Sequence, residues 1–352
     1  MTALPTHPLT SFAHELRRPQ RPASAMGYRM PAEFEAVEAV WMTYPHNAET
    51  WPGCFDRVQQ QFDFFMSQAA RFADVQLTDK RHDWPTNDSW IRDYGPVFVI
   101  DGDGGLACHD FIFNGWGGKY GDEYGEDDVV PQRVAQLLDI PIWVHDFVLE
   151  GGSIDVNGVG AVMTTEQCLI EADRNPGLNR MQIEAALRAA LATSHFIWLP
   201  GGIQGDDTDG HIDDVARFIA PNAVIAARAE ESHPDHAMLE ANWAALVESL
   251  DQNGEGIELF ELPSPDPIHY DFPADRFGPG GRRACPASYA NFLILNEAVL
   301  VPTFGQPADD VALAAIEKAM PDRMVIGVRS EYLVVGLGAV HCLTMQQPRR
   351  AT

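Results

Sequence analysis

One cysteine, one histidine and several carboxylates are concentrated in four polar motifs: TNDSWIRDYGP (86–96), LEGGSIDV (149–156), GDDTDGHIDD (205–214) and GLGAVHC (336–342). Cys342 can supply a thiolate nucleophile and His211 a general acid and base. His211 and Asp213 are two apart on a strand-like run, a spacing that sends both side chains to one face. Glu150 and Asp93 add carboxylates from two other motifs. Acids around one His and one Cys suit guanidinium chemistry. A guanidinium stays protonated, is planar, and presents paired N–H donors that match carboxylates. Its carbon is electrophilic while the group is cationic, so a thiolate can attack it without a metal. The bound cation and the nearby imidazole should lower the thiol pKa. His211 would then protonate the leaving nitrogen and activate water against the amidino thioether on Cys342.

Each residue also has a plain structural explanation. His211 could be a satisfied polar group and Cys342 an inert buried thiol. Glu150, ahead of Gly151 and Gly152, could serve a turn. Asp93 could pair with Arg92 or cap the turn into PVFVI, and Trp90 and Trp116 could be core. Gly336 and Gly338 favour the functional reading of Cys342, because glycines allow close backbone approach beside a site.

The elements that would bring these motifs together repeat along the chain. Helical apolar spacing occurs at Phe55, Val58, Phe62, Phe65, Ala69; at Val134, Leu137, Leu138; at Met181, Ile183, Leu187, Leu191; at Leu239, Trp243, Leu246, Leu250; and at Val311, Leu313, Ile316, Met320. A strand-like run follows each: 73–77, 141–145, 195–199, 257–262 and 323–328. Hairpin patterns precede most of the helices, clearest in SIDVNGVGAVMTT with its Asn157 and Gly158 turn. The unit is strand, strand, helix, strand. Five such units predict an α/β fold built as a closed radial array, with an open α/β sheet as the alternative. A radial array would turn the four motifs toward its axis. Residues 1–27, rich in Pro and polar residues, are expected to form a flexible N-terminal arm, and 28–352 a single catalytic domain.

The chain of 352 residues is 45% hydrophobic and 21% charged, a globular composition. Its formal charge of −27 argues against nucleic acid and anionic membrane as partners and would draw in a cationic ligand. Five cysteines without CxxC spacing do not suggest a disulfide framework. No apolar run reaches membrane-span length, and the N-terminus lacks a signal-peptide core, so a cytoplasmic location is expected. A homo-oligomer is allowed. A cation near the pocket could come only from Arg92 or Lys119, and Arg92, beside Asp93 on an extended segment, should point away.

At these residues the sequence resembles the agmatine deiminase family, within the guanidine-modifying enzymes of the pentein, or five-bladed α/β-propeller, fold; bacterial peptidylarginine deiminase is related. The likeness runs from GYRMPAEFEAVEAVWMTYP (27–45) through NDSWIRDYGP, FNGWGGKY, FVLEGGSIDV, TTEQCL, WLPGG and DDTDGHIDDVARF to ASYANFLILN, VPTFG and HCLTMQQP. It implies that Cys342 forms the amidino intermediate, that His211 is acid and base, and that Glu150 orients or charges His211. It also implies that Asp93 and Asp213 bind the guanidinium, that Trp90 lines the pocket, and that neither metal nor cofactor is used. Trp116 is a second candidate against the substrate's methylene chain. The implied reaction is agmatine plus water giving N-carbamoylputrescine and ammonia, within putrescine and polyamine metabolism. Leu337 and Ala339 in GLGAVHC and Gly115 in FNGWGG depart from the family's pattern near the pocket and bear on the substrate's tail.

Other readings are a deiminase of arginine or peptidylarginine, an amidinotransferase with the same Cys and His, and a non-catalytic pentein. A metal-dependent ureohydrolase could use Asp209, His211 and Asp213, which read DxHxD.

Overall fold

The computed structural model describes residues 13–120, 124–171, 174–274 and 280–350. Its strands form five three-stranded sheets and one separate hairpin. Strand β1 (Val37–Met42) is followed by helix α1 (Phe55–Ala69) and by β2 (Asp74–Leu77), which pairs parallel to β1. After the one-turn helix α2 (Ile91–Tyr94), strands β3 (Val97–Ile100) and β4 (Leu106–Ile112) pair antiparallel. The short turn α3 (Gly115–Gly118) and helix α4 (Val130–Leu138) then lead to β5 (Ile142–Val148), parallel to β4. The third sheet joins β6 (Asp155–Val156), β7 (Ala161–Thr165) and, after α5 (Arg180–Leu191), β8 (His195–Leu199). The fourth joins β9 (Ala216–Ala220), β10 (Ala223–Arg228) and, after α6 (His236–Glu248), β11 (Glu258–Pro263). Strands β12 (Ile268–Phe272) and β13 (Gly281–Cys285) form the separate hairpin. The fifth sheet joins β14 (Leu293–Ile294), β15 (Ala298–Thr303) and, after α7 (Ala308–Ala319), β16 (Met324–Arg329). Strand β17 (Met345–Pro348) returns to pair antiparallel with β1 and completes the first sheet.

Four complete strand–strand–helix–strand units and a fifth assembled from both ends of the described chain therefore match the repeat expected from the sequence. Each small unit covers its apolar surface against the next one. Strand β17 meets β3, linking the first sheet to the second. Val99 and Ala107 of the second share one apolar cluster with Val156 and Val162 of the third. Strand β6 meets β9, α7 meets both β11 and β16, and α1 meets both β16 and β2.

The five long helices fall where the apolar spacing places them, and burial divides each one. In α1, Val58, Phe62, Phe65 and Ala69 are fully buried. Removing a Phe or Val side chain of this kind from water stabilises the fold by roughly 1.5–3 kcal/mol. Leu137, Met181 and Val311, read as members of the apolar series, are exposed, and Leu250 lies beyond the end of α6. Helix α5 starts in a capping box: the Asn179 side chain accepts from the Gln182 amide while Gln182 accepts from the Asn179 amide. In the Asn157–Gly158 turn, Asn157 Oδ1 accepts from the Val159 and Ala161 amides, and Gly158 takes φ +74°.

Of the segment read as an N-terminal arm, residues 1–12 lie outside the described residues. Farther along, the Arg17 carbonyl accepts from the Ile142 amide, the Arg21 carbonyl accepts from the Trp143 indole, and Ala23 is buried.

One buried cation joins several sheets. Arg217 of β9 donates to Asp155 at 2.7 Å, to the Phe292 carbonyl at 2.5 Å, and lies 2.8 Å from Glu33. Its guanidinium also stacks 4.8 Å over the Phe292 ring. Removing it leaves two buried carboxylates without their main counter-charge, a loss of about 3–5 kcal/mol for a broken buried pair. Arg217→Met should therefore lower the unfolding free energy by about that amount in denaturant titration, and an unchanged midpoint would contradict this account.

Candidate active site

The four polar motifs converge at the ends of strands, each on a short irregular segment. Asp93 lies in α2, ahead of β3. Glu150 and Gly152 follow β5, and His211 and Asp213 precede β9. Cys342 precedes β17, and Trp116 lies in α3. Asp93, Glu150, His211, Asp213 and Cys342 are all buried. Two local readings need correction. Residues Ile212–Asp214 form a 3-10 turn and not a strand, so strand alternation is not what brings His211 and Asp213 together. Arg92 sits in a helical turn and not an extended segment; it is buried and lies 3.5 Å from Glu33.

Space for the constellation comes from Gly152. A Cβ there would lie 2.5 Å from His211 Nδ1, 2.9 Å from Asp93 Oδ1 and 3.1 Å from Asp213 Oδ2. Sequence reading gave this glycine only a turn, whereas any larger residue would collide with three polar groups at once. Gly338 similarly lets its segment close against the Trp90 ring, 2.5 Å from where its Cβ would stand.

Both carboxylate oxygens of Asp93 are held. Oδ1 accepts from the Gly152 amide at 3.1 Å and Oδ2 from the Trp116 indole at 2.9 Å. Trp116 therefore orients an acid as well as lining the pocket. Burial, and next the neighbouring acids Asp213 and Glu150, outweigh His211 and Trp116 and push the Asp93 pKa up to about 6. Asp213 Oδ2 bonds His341 Nδ1 at 2.7 Å and accepts from the Cys342 thiol at 3.8 Å, while Oδ1 has no partner among the described residues. Burial alone would raise the Asp213 pKa, but His341, then His211 and Arg217, hold it below the usual carboxylate value.

The imidazole of His211 makes no hydrogen bond within normal limits among the described residues. Nδ1 is 3.6 Å from Asp93 and Nε2 is 3.8 Å from Glu150. Burial disfavours its cation, yet Asp93, Cys168 and Glu150 together raise its pKa well above the ordinary imidazole value. Glu150 is itself fixed by Arg174, which donates from Nε at 2.9 Å. Burial raises the Glu150 pKa, and Arg174 and His211 overcome that to keep the carboxyl below its usual value. The Cys342 thiol is driven in the opposite direction. Burial first, then Asp213, Asp214 and Asp93, push its pKa well above that of an ordinary cysteine.

Cys342 lies at the base of a cavity of about 110 Å³ lined also by Trp90, Trp116, Asp93 and Leu337. Trp116, Asp209 and Leu337 adopt left-handed backbone, at φ +54°, +66° and +68°, an uncommon conformation that concentrates at functional segments. Glu49, Asp88 and Asp207 also line the cavity. Burial lifts Asp88 to about 6 and Asp207 to about 7, with hydrogen bonds and Lys119 respectively opposing the rise. Lys119 is occupied with Asp209 and the Asp207 carbonyl. Arg283 of the β12–β13 hairpin also lines the pocket and stacks 4.4 Å over Phe272. Sequence reading had only Arg92 and Lys119 as candidate cations there, because nothing local in GRRACP connects β13 with a pocket whose other residues come from distant segments.

Several further residues escaped sequence reading. Asn291 donates to Cys342 Sγ at 3.1 Å and to Asp214 at 3.0 Å, and its carbonyl oxygen accepts from the His341 amide. Arg174, the cation that fixes Glu150, also reaches Asp209 at 2.5 Å. Asp209 is thereby engaged by Arg174 and Lys119, and DxHxD does not form a metal-ligand set. Glu150, Cys168 and His211 do place ligand-type atoms within 4.8 Å of one another. Arg174 already lies on that carboxylate, so a metal ion there would abut a guanidinium.

Comparison with known proteins places the chain among relatives. The family model for the Porphyromonas-type peptidyl-arginine deiminase matches residues 29–348. The agmatine deiminase of Stutzerimonas stutzeri is 36% identical, over 92% of this chain and 96% of that protein. The structure of the Enterococcus faecalis agmatine deiminase catalysing its reaction superposes with a TM-score of 0.90 at 33% identity, over 96% of this chain and 100% of that one. Likeness in fold alone extends to dimethylarginine dimethylaminohydrolase of Pseudomonas aeruginosa, a pentein, with a TM-score of 0.51 at 14% identity over 89% of this chain and 100% of that one. With a matched span that takes in all four polar motifs, the chain belongs to the Porphyromonas-type peptidyl-arginine deiminase family.

Proposed function

We propose that this protein is an agmatine deiminase, which hydrolyses agmatine to N-carbamoylputrescine and ammonia through a covalent amidino intermediate on Cys342. The observation that carries this reading is the buried set of Asp93, Asp213 and Glu150 around Cys342 and His211, in a chain whose relatives include agmatine deiminases. Asp93 and the unpartnered oxygen of Asp213 are the grip on the guanidinium, with Trp90 as a wall of the pocket. Binding brings a cation beside acids that otherwise hold the Cys342 proton in place. Once Asp93 and Asp213 are neutralised by the substrate, the thiol pKa falls and its proton is released to solvent, leaving the thiolate.

Thiolate attack on the guanidinium carbon forms the C–S bond. His211 passes its proton to the departing nitrogen, the C–N bond breaks, and ammonia leaves an amidino thioether. Neutral His211 then takes a proton from water as its oxygen attacks the same carbon. Collapse of that adduct expels the Cys342 sulfur and completes the ureido product. Glu150, held by Arg174, stabilises the His211 cation. Nucleophile, acid, base and charge stabilisation are all supplied by this chain's side chains, and the proposed reaction uses no metal or cofactor.

The wider frame of the proposal is one catalytic domain over 28–352, with Arg17, Arg21 and Ala23 of the preceding segment held against it rather than forming a flexible arm. Its five sheets are arranged as the blades of an α/β propeller, a pentein, with the site at the axis. Support comes from the circuit of contacts that runs through all five sheets and back to the first. No described helix is long and apolar enough to cross a membrane. The −27 charge supports an enzyme without nucleic-acid partners, and a cytoplasmic location belongs to the same reading.

Agmatine carries an amine at its far end, and the pocket lining holds the acids Glu49, Asp88 and Asp207 beside the cation Arg283. Arg283 is the one observation that favours a substrate with a carboxylate, such as arginine or a peptidylarginine. Steady-state ammonia release should show a higher kcat/KM for agmatine than for either, and Cys342→Ser should abolish turnover while leaving the melting transition in place. A higher kcat/KM for arginine would overturn the agmatine assignment, and turnover by Cys342→Ser would overturn the covalent route.

Ionised Asp93 is required to hold the cation, and its pKa stands at about 6. For the free enzyme kcat/KM should therefore decline as pH falls through about 6, by about tenfold per unit below it, because protonation removes one charge from the grip. Asp93→Asn should flatten this limb at a low rate. An unchanged acid limb in that variant would remove Asp93 from the substrate grip.

A further inference from the structure

His341 takes no part in the reaction as derived, yet it is buried beside Cys342 with both ring nitrogens on carboxylates. Nδ1 lies 2.7 Å from Asp213 Oδ2 and Nε2 lies 2.6 Å from Glu33 Oε2. A neutral imidazole has one N–H and can donate to only one of two ionised carboxylates. Bonds at both nitrogens fix the orientation of the ring.

The far end of the link is anchored. Glu33 lies 2.8 Å from Arg217 and 3.5 Å from Arg92, and its second oxygen accepts from the Ile294 amide at 2.7 Å. Burial raises its pKa, but Arg217, His341 and Arg92 hold it well below the usual carboxylate range. Arg217 is tied in turn to Asp155 and the Phe292 carbonyl. The near end is poorly supported by comparison. Apart from His341, Asp213 has only the long contact from the Cys342 thiol on Oδ2, and Oδ1 has none among the described residues. Around it stand Asp93, Asp214 and His211, so two of its neighbours repel it.

We infer that His341 is a positioning residue: it pins one oxygen of Asp213, so that the other oxygen is presented to the substrate guanidinium. The inference rests on the reading of Asp213 as part of the substrate grip. It assigns His341 no contact with substrate, and makes Glu33 and Arg217 the rigid backing for a substrate contact.

The two nitrogens can be replaced separately. The amide nitrogen of Asn stands near the Nδ1 position, so His341→Asn keeps a donor for Asp213 and gives up Glu33. The amide nitrogen of Gln stands near Nε2, so His341→Gln keeps a donor for Glu33 and gives up Asp213. Both are made on the turnover-incapable Cys342→Ala protein, and the Kd values of agmatine and methylguanidine are measured by calorimetry. His341→Gln should bind each ligand at least about tenfold more weakly than His341→Asn, the usual loss for one hydrogen bond to a charged group. In the enzyme with Cys342 intact, the same order should appear mainly in KM. Equal affinities, or weaker binding by His341→Asn, would overturn the inference, because a merely structural role exercised through Glu33 predicts the latter. Methylguanidine separates this from the identity of the substrate. If agmatine fails to bind and methylguanidine shows the predicted order, the agmatine reading falls and the role of His341 stands. Should His341→Gln not fold, His341→Ala, which gives up both donors, is compared with and without Asp213→Asn: its loss of methylguanidine affinity should vanish in the Asp213→Asn background, and an equal loss in both backgrounds would overturn the inference.

Discussion

The site depends on one electrostatic constraint: several carboxylates are kept out of water around a thiol, with their balancing charge incomplete until a cation arrives. Carboxylates in low dielectric either find partners or take up protons. Here the two outcomes are divided among the acids. Glu33, Glu150 and Asp213 have cationic partners that hold their pKa values down, whereas Asp93 lacks one of comparable strength and is lifted to about 6. The Cys342 thiol feels the same field and is held protonated. A guanidinium is the group that resolves this imbalance, since it supplies a permanent charge together with N–H donors in the plane of the carboxylates. On the proposed reading, substrate recognition and nucleophile activation become one event.

The scaffold serves that arrangement by fixing each acid from behind. Arg174 bonds Glu150, the Trp116 indole and Gly152 amide bond Asp93, and His341 bonds Asp213. Gly152 leaves the volume in which His211, Asp93 and Asp213 meet. The reacting groups come from segments ahead of or after different sheets, so no single unit carries a site by itself. Arg217 and the return of β17 to β1 then couple the integrity of the site to that of the whole chain.

Much of this was legible in the sequence. Apolar spacing located the five long helices because each buries one face, and the strand runs after them matched β2, β5, β8, β11 and β16. Cys342, His211, Glu150, Asp93 and Asp213 were identified by residue type, by the chemistry of a guanidinium and by family resemblance, and the structure gathers them into one buried cluster. The HIDD run misled as to local structure, because alternation over four residues cannot distinguish a strand from a 3-10 turn ahead of one. Arg174, Asn291 and Arg283 were not legible, since their importance lies in contacts across large sequence separations. His341 had a visible signal in its place beside Cys342, but only the distances to Glu33 and Asp213 give it meaning.

The most direct test of this account is the ionisation of Cys342 with and without a bound guanidinium. Ultraviolet absorbance of the thiolate, whose onset follows the thiol pKa, can be titrated in the free protein and with saturating methylguanidine, using Cys342→Ala as the blank. The account predicts that the free protein shows no Cys342 thiolate at neutral pH and that the ligand moves its appearance to lower pH. A thiolate already present at neutral pH without ligand, or an onset unmoved by the ligand, would contradict the claim that the substrate's own charge activates the nucleophile.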